Sequence, residues 1–383
     1  MKMKAAVLWE PKTDWSVEEV DLDPPKAGEV LVKLVGSGLC HSDEHLLTGD
    51  LALPEATQKE LGMQQFPVIG GHEGAGEVLE VGPGVTNLAP GDHVVFGFIP
   101  SCGRCPKCST GHQNLCDLGA YLLAGRQVTD FTARHHAKGQ DLGIMCCIGT
   151  FGEYTVAAEA SCIKIEKDIP LDKAALVGCG VTTGWGSAVY AAAVQPGETV
   201  VIVGCGGVGM NAVQGASMAG ARHVIAVDPV EFKREHSFIF GATHAATSME
   251  EANELVGELT WGAMADKVIL TMGVAQGEYI QPALAMTAKG GRVVQTAVAP
   301  FSVDSVSMNL FELTMYEKQL VGSIFGSANP RRDIPRLLQL YQEGQLKLDE
   351  LVTRTYPIED INVGYQAMRD GTNIRGMLIY DHA

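Results

Sequence analysis

Residues 198–228 read "ETVVIVGCGGVGMNAVQGASMAGARHVIAVD", and this stretch decides one half of the fold. It begins with a β-branched apolar run, passes through Gly204-x-Gly206-x-x-Gly209, continues as a helical stretch and closes on a second apolar run and Asp228. A Gly-x-Gly-x-x-Gly pattern alone is a weak signal, but here it follows a predicted strand and opens a predicted helix. The stretch therefore predicts a dinucleotide-binding βαβ unit rather than a glycine-rich turn of an ordinary α/β protein.

The same stretch indicates which dinucleotide binds. Glycines let the backbone approach a pyrophosphate, which rests on the helix N-terminus. Asp228 lies nineteen positions after Gly209, at the end of the next predicted strand. Its carboxylate can accept hydrogen bonds from an adenosine ribose, and its charge would repel a 2′-phosphate. We therefore expect NAD rather than NADP.

Composition limits the remaining possibilities. The 383 residues are 46% hydrophobic and 19% charged, which is ordinary for a globular protein and suggests two domains. A net charge of −17 disfavours a nucleic-acid partner. The first fifteen residues have no long apolar core and no small-residue cleavage site, so no secretory signal is predicted.

One charge-free stretch, residues 175–194, is long enough to cross a bilayer. It contains four glycines and several hydroxyl residues and lies in the middle of the chain, so we interpret it as a buried segment. We expect a soluble, cytoplasmic protein without a membrane partner. In that compartment a disulfide framework is not expected.

Four of the ten cysteines lie within residues 102–116, "CGRCPKCSTGHQNLC". A ferredoxin-type cluster would have three residues before its fourth cysteine and a proline after it; here the gap is seven and aspartate follows. A thioredoxin-like redox pair would need only two cysteines. The spacing favours a closed tetrahedral zinc site, which shapes a loop and does no chemistry. Its ligands would be Cys102, Cys105, Cys108 and Cys116.

A second possible metal site is spread along the chain. "GLCHSDEH" (38–45) supplies Cys40, "GGHEGAGEV" (70–78) supplies His72 and Glu73, and "LVGCGVTTGWG" (176–186) supplies Cys179. Each motif alone is weak, because a lone cysteine is usually a small buried hydrophobe. Together, two cysteines and a histidine would instead make a catalytic zinc triad, with the fourth position left for water or substrate.

With these motifs, the chain resembles the zinc-dependent medium-chain alcohol dehydrogenases from "MKAAVLWE" near its start to "NIRGMLIY" near its end. The resemblance implies an α/β protein with a GroES-like, mostly-β catalytic domain and a Rossmann NAD-binding domain with a doubly wound parallel sheet. The implied domains are 1–180 with a zinc lobe at 98–120, 181–324, and a return to the catalytic domain at 325–383. Short strands early in the chain and alternating strand and helix signals from about residue 181 agree with this order.

The resemblance also implies the roles of individual residues. It assigns Cys40, His72 and Cys179 to the catalytic zinc and the four clustered cysteines to a structural zinc. Glu73 matches a carboxylate behind the zinc, Asp43 the partner that orients His72, and Ser42 and His45 a proton relay that passes through the nicotinamide ribose. The implied cofactor contacts are His41, Thr183, Gly204, Gly206, Gly207, Val208, Gly209, Asp228, Lys233 and Arg375.

Three features depart from the family pattern. The segment 51–65, "LALPEATQKELGMQQ", is longer than the usual connection and would lie near the active-site mouth. Position 41 is histidine where many relatives carry arginine. Cys146 and Cys147 are adjacent, and we interpret them as buried thiols rather than as a redox pair.

These features, with "DPVEFKRE" (228–235) and the run 309–331, are most similar to the nicotinoprotein, or NDMA-dependent, branch. That branch implies NAD that stays bound and is reoxidised in place by an external acceptor or redox carrier. Two enzyme alternatives are an ordinary NAD-exchanging alcohol dehydrogenase and a glutathione-dependent formaldehyde dehydrogenase. A non-catalytic zinc and nucleotide-binding protein is disfavoured by the intact ligand and relay residues. The expected substrate is a small alcohol or aldehyde, and the expected assembly is a homo-oligomer.

Overall fold

The computed structural model describes residues 1–60 and 63–382. The chain forms two compact units, one made of Met1–Cys179 with Asn329–Ala383 and the other of Gly180–Ala328. The domain boundaries predicted from the sequence lie at 180/181 and 324/325.

The strands are, in chain order, β1 (Lys2–Leu8), β2 (Ser16–Leu22), β3 (Glu29–Gly38), β4 (Val68–Ile69), β5 (Gly74–Val81), β6 (His93–Phe96), β7 (His135–Ala137), β8 (Gln140–Ile144), β9 (Tyr154–Ala158), β10 (Cys162–Ile165), β11 (Thr199–Val203), β12 (His223–Val227), β13 (His244–Ala246), β14 (Ala265–Leu270), β15 (Thr287–Gln295), β16 (Gln319–Gly322), β17 (Val352–Tyr356) and β18 (Arg375–Ile379). The α-helices are α1 (His41–Thr48), α2 (Glu55–Glu60), α3 (Pro106–Ser109), α4 (Leu171–Val177), α5 (Gly180–Gly186), α6 (Gly207–Met218), α7 (Glu231–Ser237), α8 (Met249–Leu259), α9 (Ile280–Ala285), α10 (Leu310–Met315), α11 (Pro330–Gln342) and α12 (Ile361–Arg369).

The first unit is mostly β, as expected for a GroES-like domain. Strands β1, β2, β7, β8 and β4 close a barrel, and a second sheet runs β10-β6-β5-β3-β18-β17, with β9 also paired to β3. Eight of the ten residues of β3 are buried, because this strand pairs with neighbours on both sides. The late strand β18 joins β3 in antiparallel register, with Met377 opposite Gly38. Strand β18 therefore completes the sheet in which β3 leads directly to Cys40.

The second unit contains the predicted doubly wound sheet. Its six strands are parallel in the order β13-β12-β11-β14-β15-β16. Strand β11 is buried throughout, since helices and strands cover it on every side. Gly204 follows it with φ +94°, and a Cβ at Gly209 would lie 1.8 Å from the Gly204 carbonyl oxygen. Only glycine fits this close crossing of the turn and the start of α6.

The charge-free stretch 175–194 is largely buried and includes the end of α4 and all of α5. Among the described residues, no helix has the length and apolar character needed to span a bilayer.

A buried histidine in the barrel gives the fold a predictable response to acid. His135 on β7 is fully buried, and neither ring nitrogen has a hydrogen-bond partner among the described residues. Burial, together with the neighbouring His136 and Arg134, lowers the pKa of His135 to about 3. The unfolded chain binds this proton below pH about 6.5 while the folded chain does not, so folding stability falls as the pH drops from about 6.5 towards 3.

We expect His135→Leu to remove this dependence. Between about pH 4 and pH 5.5, where the unfolded chain binds this proton and the folded chain does not, the stability difference between wild type and variant should change by about 1.4 kcal/mol per pH unit. Denaturant unfolding at several pH values measures it. Leu142→Ala, at the buried and non-titratable residue opposite His135 on β8, is the control and should lower stability by the same amount at each pH. Parallel stability curves for wild type and His135→Leu would contradict the assignment.

Candidate zinc centres and cofactor site

Three distant motifs meet in the first unit as one cluster of metal-binding side chains. Cys40, His72, Glu73 and Cys179 are all buried, and one ligand atom from each lies within 4.8 Å of the others. Cys40 stands between β3 and α1, His72 between β4 and β5, and Cys179 between α4 and α5. Two sulfurs, one imidazole and a nearby carboxylate suit zinc, and they leave a position for a substrate oxygen. The donor set therefore fits a catalytic zinc.

Asp43 holds the histidine of this cluster. Its carboxylate is fully buried; Oδ1 accepts a hydrogen bond from the Gly71 N–H at 2.7 Å, and Oδ2 lies 3.0 Å from His72 Nδ1. Since Nδ1 faces the carboxylate, Nε2 is the nitrogen available to a metal. This is the partnership that the resemblance implied for Asp43.

The electrostatics of the cluster favour bound cations. Burial lowers the pKa of His72, but the negative charges of Asp43 and Cys40 outweigh it and hold that pKa well above its ordinary value. A hydrogen bond from Cys179 holds the pKa of Cys40 well below its ordinary value, against the effect of burial. The site thus stabilises a thiolate beside a positive charge.

Glu73 is paired with Arg375 behind the ligands. Both side chains are buried, and Arg375 Nη2 donates to Glu73 Oε2. A Cβ at Gly38 would lie 2.2 Å from Glu73 Oε2, so the pair needs glycine at that point of β3. The resemblance implied a cofactor contact for Arg375; in the described structure its guanidinium is engaged within the first unit.

Helix α1 carries both residues of the expected proton relay. Ser42 and His45 are three positions apart and so lie on one face. Ser42 Oγ is 3.8 Å from Cys40 Sγ, and His45 is buried with Nδ1 3.3 Å from Asp50 Oδ2. His41, at the start of the helix, is exposed.

Asp50 is a residue of this site that was not predicted from the sequence. The sequence feature that could have indicated it is Gly49, because a glycine suits a helix end and lets the chain turn back on α1. The long segment 51–65 also has a defined anchor, because Gln65 is buried and bonded to the backbone of Leu51 and Leu53. Residues 61 and 62 of that segment lie outside the described residues.

The four clustered cysteines form a second, separate set of donors. Their sulfurs lie within 4.8 Å of one another, with 3.9 Å between Cys102 and Cys108 and 4.0 Å between Cys105 and Cys116. Backbone N–H groups point at the sulfurs: Cys105 N is 3.4 Å from Cys102 Sγ, and Cys108 N is 3.4 Å from Cys105 Sγ. Hydrogen bonds from the backbone of Asp117 and Cys108 lower the pKa of Cys105 to about 6. Four sulfurs leave no open position, as in a structural zinc site.

The adjacent cysteines after β8 are chemically different. Cys146 and Cys147 are buried, and Cys147 Sγ donates to the Tyr121 carbonyl oxygen at 3.2 Å. Burial raises the pKa of Cys146 to about 12 and raises that of Cys147 as well. A raised pKa favours the neutral thiol, and the prediction that the two residues are buried thiols is confirmed.

In the second unit, the glycine turn and Asp228 lie together at the ends of β11 and β12. Asp228 Oδ2 accepts from the Cys205 N–H at 2.8 Å, and Oδ1 accepts from the Val230 N–H at 2.9 Å. A Cβ at Gly206, the residue before α6, would meet nothing within 4 Å, so there is room for a ligand at the helix start. The other expected contacts of this unit are on helices: Gly207, Val208 and Gly209 on α6, Lys233 on α7 and Thr183 on α5.

Comparison with known proteins shows the family to which the chain belongs. A family model for the alcohol dehydrogenase GroES-like domain matches residues 26–167, and one for zinc-binding dehydrogenase matches residues 207–343. The chain belongs to the zinc-dependent medium-chain alcohol dehydrogenase family.

Relatives of this alcohol dehydrogenase family match over nearly the whole chain. Alcohol dehydrogenase B of Mycobacterium tuberculosis is 51% identical over 380 residues, 99% of each chain. An NDMA-dependent alcohol dehydrogenase of Amycolatopsis methanolica is 50% identical over 99% of each chain. The crystal structure of an alcohol dehydrogenase zinc-binding domain protein from Burkholderia ambifaria is 30% identical, covers 100% of both chains and has a TM-score of 0.90. The predicted resemblance to the family and to its NDMA-dependent branch is confirmed, and so is the fold class.

Proposed function

We propose that the protein oxidises alcohols to aldehydes, and catalyses the reverse reaction, by transferring hydride to an NAD that stays bound and is reoxidised in place by an external acceptor. The observation that carries the alcohol oxidation is the buried cluster of Cys40, His72 and Cys179 next to the relay helix α1. Retention of NAD is supported by the 50% identity to an NDMA-dependent relative along the full chain.

Zinc held by Cys40, His72 and Cys179 would supply a Lewis acid, and NAD would supply the hydride acceptor. The chain's own side chains would orient the ligands and accept the proton of the alcohol. Asp43 keeps His72 oriented, and the ion pair with Arg375 holds Glu73 beside the ligands. An alcohol must lose its proton before hydride leaves, so Ser42 would accept that proton and His45 would finally hold it.

The second unit supports NAD as the cofactor. The carboxylate of Asp228 is fixed by two backbone N–H groups at the edge where an adenosine ribose would lie, and its charge disfavours a 2′-phosphate. The open space at Gly206 and the start of α6 suit a pyrophosphate. We therefore propose NAD rather than NADP, with the second unit as the nucleotide-binding domain.

We also propose two zinc ions per chain, one catalytic and one structural. The two donor sets support this because they share no residue and differ in kind. Six of the ligands are free thiols, which a reducing compartment such as the cytoplasm would preserve.

We further propose that the protein is a homo-oligomer. In the second unit, β16 lies at one end of the sheet. Large apolar side chains just before it are exposed: Phe301 (56%), Leu310 (67%), Phe311 (66%) and Met315 (61%). Exposed apolar side chains that are close in sequence to an edge strand suit a two-fold contact with a second copy, because the same surface can serve both partners. Sedimentation mass measures this directly.

The experiment that tests NAD retention uses enzyme purified without added cofactor. After extensive desalting, the protein should still show the absorbance of a nicotinamide and should oxidise an alcohol with a nitroso acceptor in the absence of added NAD. Turnover with soluble NAD as the only acceptor should be lower by at least about tenfold, because retention requires slow release.

Three controls separate the alternatives. Enzyme that purifies empty and turns over freely with soluble NAD would be an ordinary alcohol dehydrogenase. Formaldehyde oxidation that depends on added glutathione would indicate the formaldehyde dehydrogenase alternative. Protein with both zinc ions and bound nucleotide but no turnover with any alcohol would indicate a binding protein.

A further inference from the structure

We propose that Asp50 is the positioning residue of the proton relay: its carboxylate accepts a hydrogen bond from the Nδ1–H of His45 and so fixes the imidazole with Nε2 as the atom that receives the proton. This inference rests on the proposed function, because it takes His45 as the group that finally holds the alcohol proton.

The turn after α1 brings Asp50 back onto the helix. The helix ends at Thr48, and Gly49 has φ +87° with its N–H donating to the Leu46 carbonyl oxygen at 3.2 Å. A left-handed residue at this point reverses the chain. Asp50 Oδ2 then lies 3.3 Å from His45 Nδ1, although the two residues are five positions apart.

Both the side chain and the backbone of His45 are engaged by this turn. The Leu51 N–H donates to the His45 carbonyl oxygen at 3.0 Å. The Thr48 hydroxyl donates to Asp50 Oδ2 at 2.7 Å. The carboxylate is thus fixed by one hydroxyl, and the imidazole that it faces is only 3% exposed.

Two glutamines, Gln58 and Gln65, hold the turn in place. Gln65 is 2% exposed; its Nε2 donates to the Leu51 carbonyl oxygen at 3.0 Å and its Oε1 accepts from the Leu53 N–H at 2.8 Å. Gln58 Nε2 donates to the Leu53 carbonyl oxygen at 2.7 Å. Leu51 and Leu53, one and three positions after Asp50, are therefore held by the side-chain amides of Gln65 and Gln58. Both glutamines belong to the segment that is longer than in most relatives, and they support the turn that carries Asp50.

The charges around the turn suit an ionised Asp50. The Thr48 hydroxyl lowers the pKa of Asp50, burial opposes this, and His45 and Lys12 lower it further. The other carboxylates of α1 face elsewhere: Asp43 bonds Gly71 and faces His72, and Glu44 accepts from Arg369 Nε at 2.7 Å. The carboxylate of Asp50 lies at hydrogen-bond distance from Nδ1 of His45.

This arrangement has a chemical consequence. An imidazole that donates from Nδ1 can accept a proton only at Nε2, and a carboxylate at Nδ1 stabilises the imidazolium that results. The proton leaves the alcohol through Ser42 and ends on Nε2 of His45. Asp50 itself stays ionised throughout.

The test compares Asp50→Asn, His45→Gln and the double variant in the holoenzyme. Asp50 is about one-third exposed, so the near-isosteric amide should fold and retain zinc and nucleotide. We expect Asp50→Asn to lower kcat/KM at neutral pH by about tenfold, and by no more than His45→Gln does, within the range of general-base effects. In the His45→Gln background it should cost nothing further, because it acts only through His45.

A spectroscopic measurement tests the contact without turnover. Nitrogen-15 NMR of ring-labelled histidines should find His45 as the Nδ1–H tautomer in wild type, the resonance being identified by its loss in His45→Gln. Asp50→Asn should alter that signal. Asp141→Asn, which removes a carboxylate 2.9 Å from Nδ1 of His136, is the matched control and should leave both the His45 signal and kcat/KM unchanged.

The outcomes distinguish the inference from the function it rests on. If His45→Gln leaves kcat/KM unchanged, the assignment of His45 to the proton relay is wrong. The NMR measurement would still show whether Asp50 contacts Nδ1 of His45. If His45→Gln is impaired but Asp50→Asn behaves like wild type, the inference is overturned. A further loss on adding Asp50→Asn to His45→Gln, or an Nε2–H tautomer in wild type, would also overturn it.

Discussion

His72→Ala is expected to lower alcohol oxidation by about a thousandfold or more while bound nicotinamide stays at the wild-type level. The variant removes one of three donors from a buried site and leaves the carboxylate of Asp43 without the imidazole that it faces. Loss of a Lewis acid that stabilises developing negative charge costs several kcal/mol of transition-state free energy, and about 4 kcal/mol corresponds to a thousandfold. The glycine turn and Asp228 belong to the other unit, so nucleotide binding should survive.

Three measurements on one preparation check this prediction: kcat/KM with a nitroso acceptor, zinc per chain by elemental analysis, and the nicotinamide spectrum after desalting. His136→Ala is the matched control. His136 also faces carboxylates, with Asp23 at 3.1 Å and Asp141 at 2.9 Å, but belongs to neither donor set. The control should keep two zinc ions and full turnover. A His72→Ala enzyme with near-normal turnover would refute the ligand assignment.

The parts of the site that depend on local pattern could be predicted from the sequence. The glycine turn and Asp228 lie within one βαβ unit, and the four clustered cysteines span fifteen residues, so spacing alone constrains their geometry. The structure brings each of these sets together. The catalytic cluster joins residues as far apart as Cys40 and Cys179, and its prediction depended on the resemblance to the family.

The parts that depend on strand pairing could not be predicted in this way. Arg375 lies 302 positions after Glu73 in the chain. The two side chains meet because β18 pairs with β3, and β3 pairs with β5, which begins directly after Glu73. No local pattern in "NIRGMLIY" predicts an ion pair between Arg375 and Glu73. The resemblance implied a cofactor contact for Arg375, and the pairing with Glu73 is an addition that only the tertiary structure supplies.

Asp50 is an intermediate case. A helix, a glycine and an acidic residue in succession indicate a capped end, but they do not say which face the carboxylate meets. That face is set by the left-handed φ of Gly49 and by the amide of Gln65, fifteen positions after Asp50. Long-range anchoring of a short turn is beyond what periodicity can indicate.

Cys105→Ser is expected to reduce the zinc content from two to one per chain and to lower the free energy of unfolding of the first unit by several kcal/mol. A closed site contributes its binding free energy to folding, because the unfolded chain has no preformed set of donors. The lobe depends on this closure: Cys105 caps α3, a helix of four residues, and its sulfur accepts the backbone N–H of Cys108. Serine keeps the cap but replaces the thiolate by a hydroxyl that binds zinc poorly.

Cys162→Ser provides the matched comparison for this change. Cys162 is buried on β10 with its Sγ 3.5 Å from the Ala158 carbonyl oxygen, and it belongs to neither donor set. Its replacement should cost only about 1–2 kcal/mol for a buried polar group and should leave both zinc ions in place. Denaturant unfolding, zinc analysis and kcat per folded molecule separate the two variants. We expect the folded fraction of Cys105→Ser to keep its turnover, because the catalytic donors are a separate set. Loss of both zinc ions would contradict a purely structural role for the lobe. Unchanged stability in a variant with one zinc ion would contradict it as well.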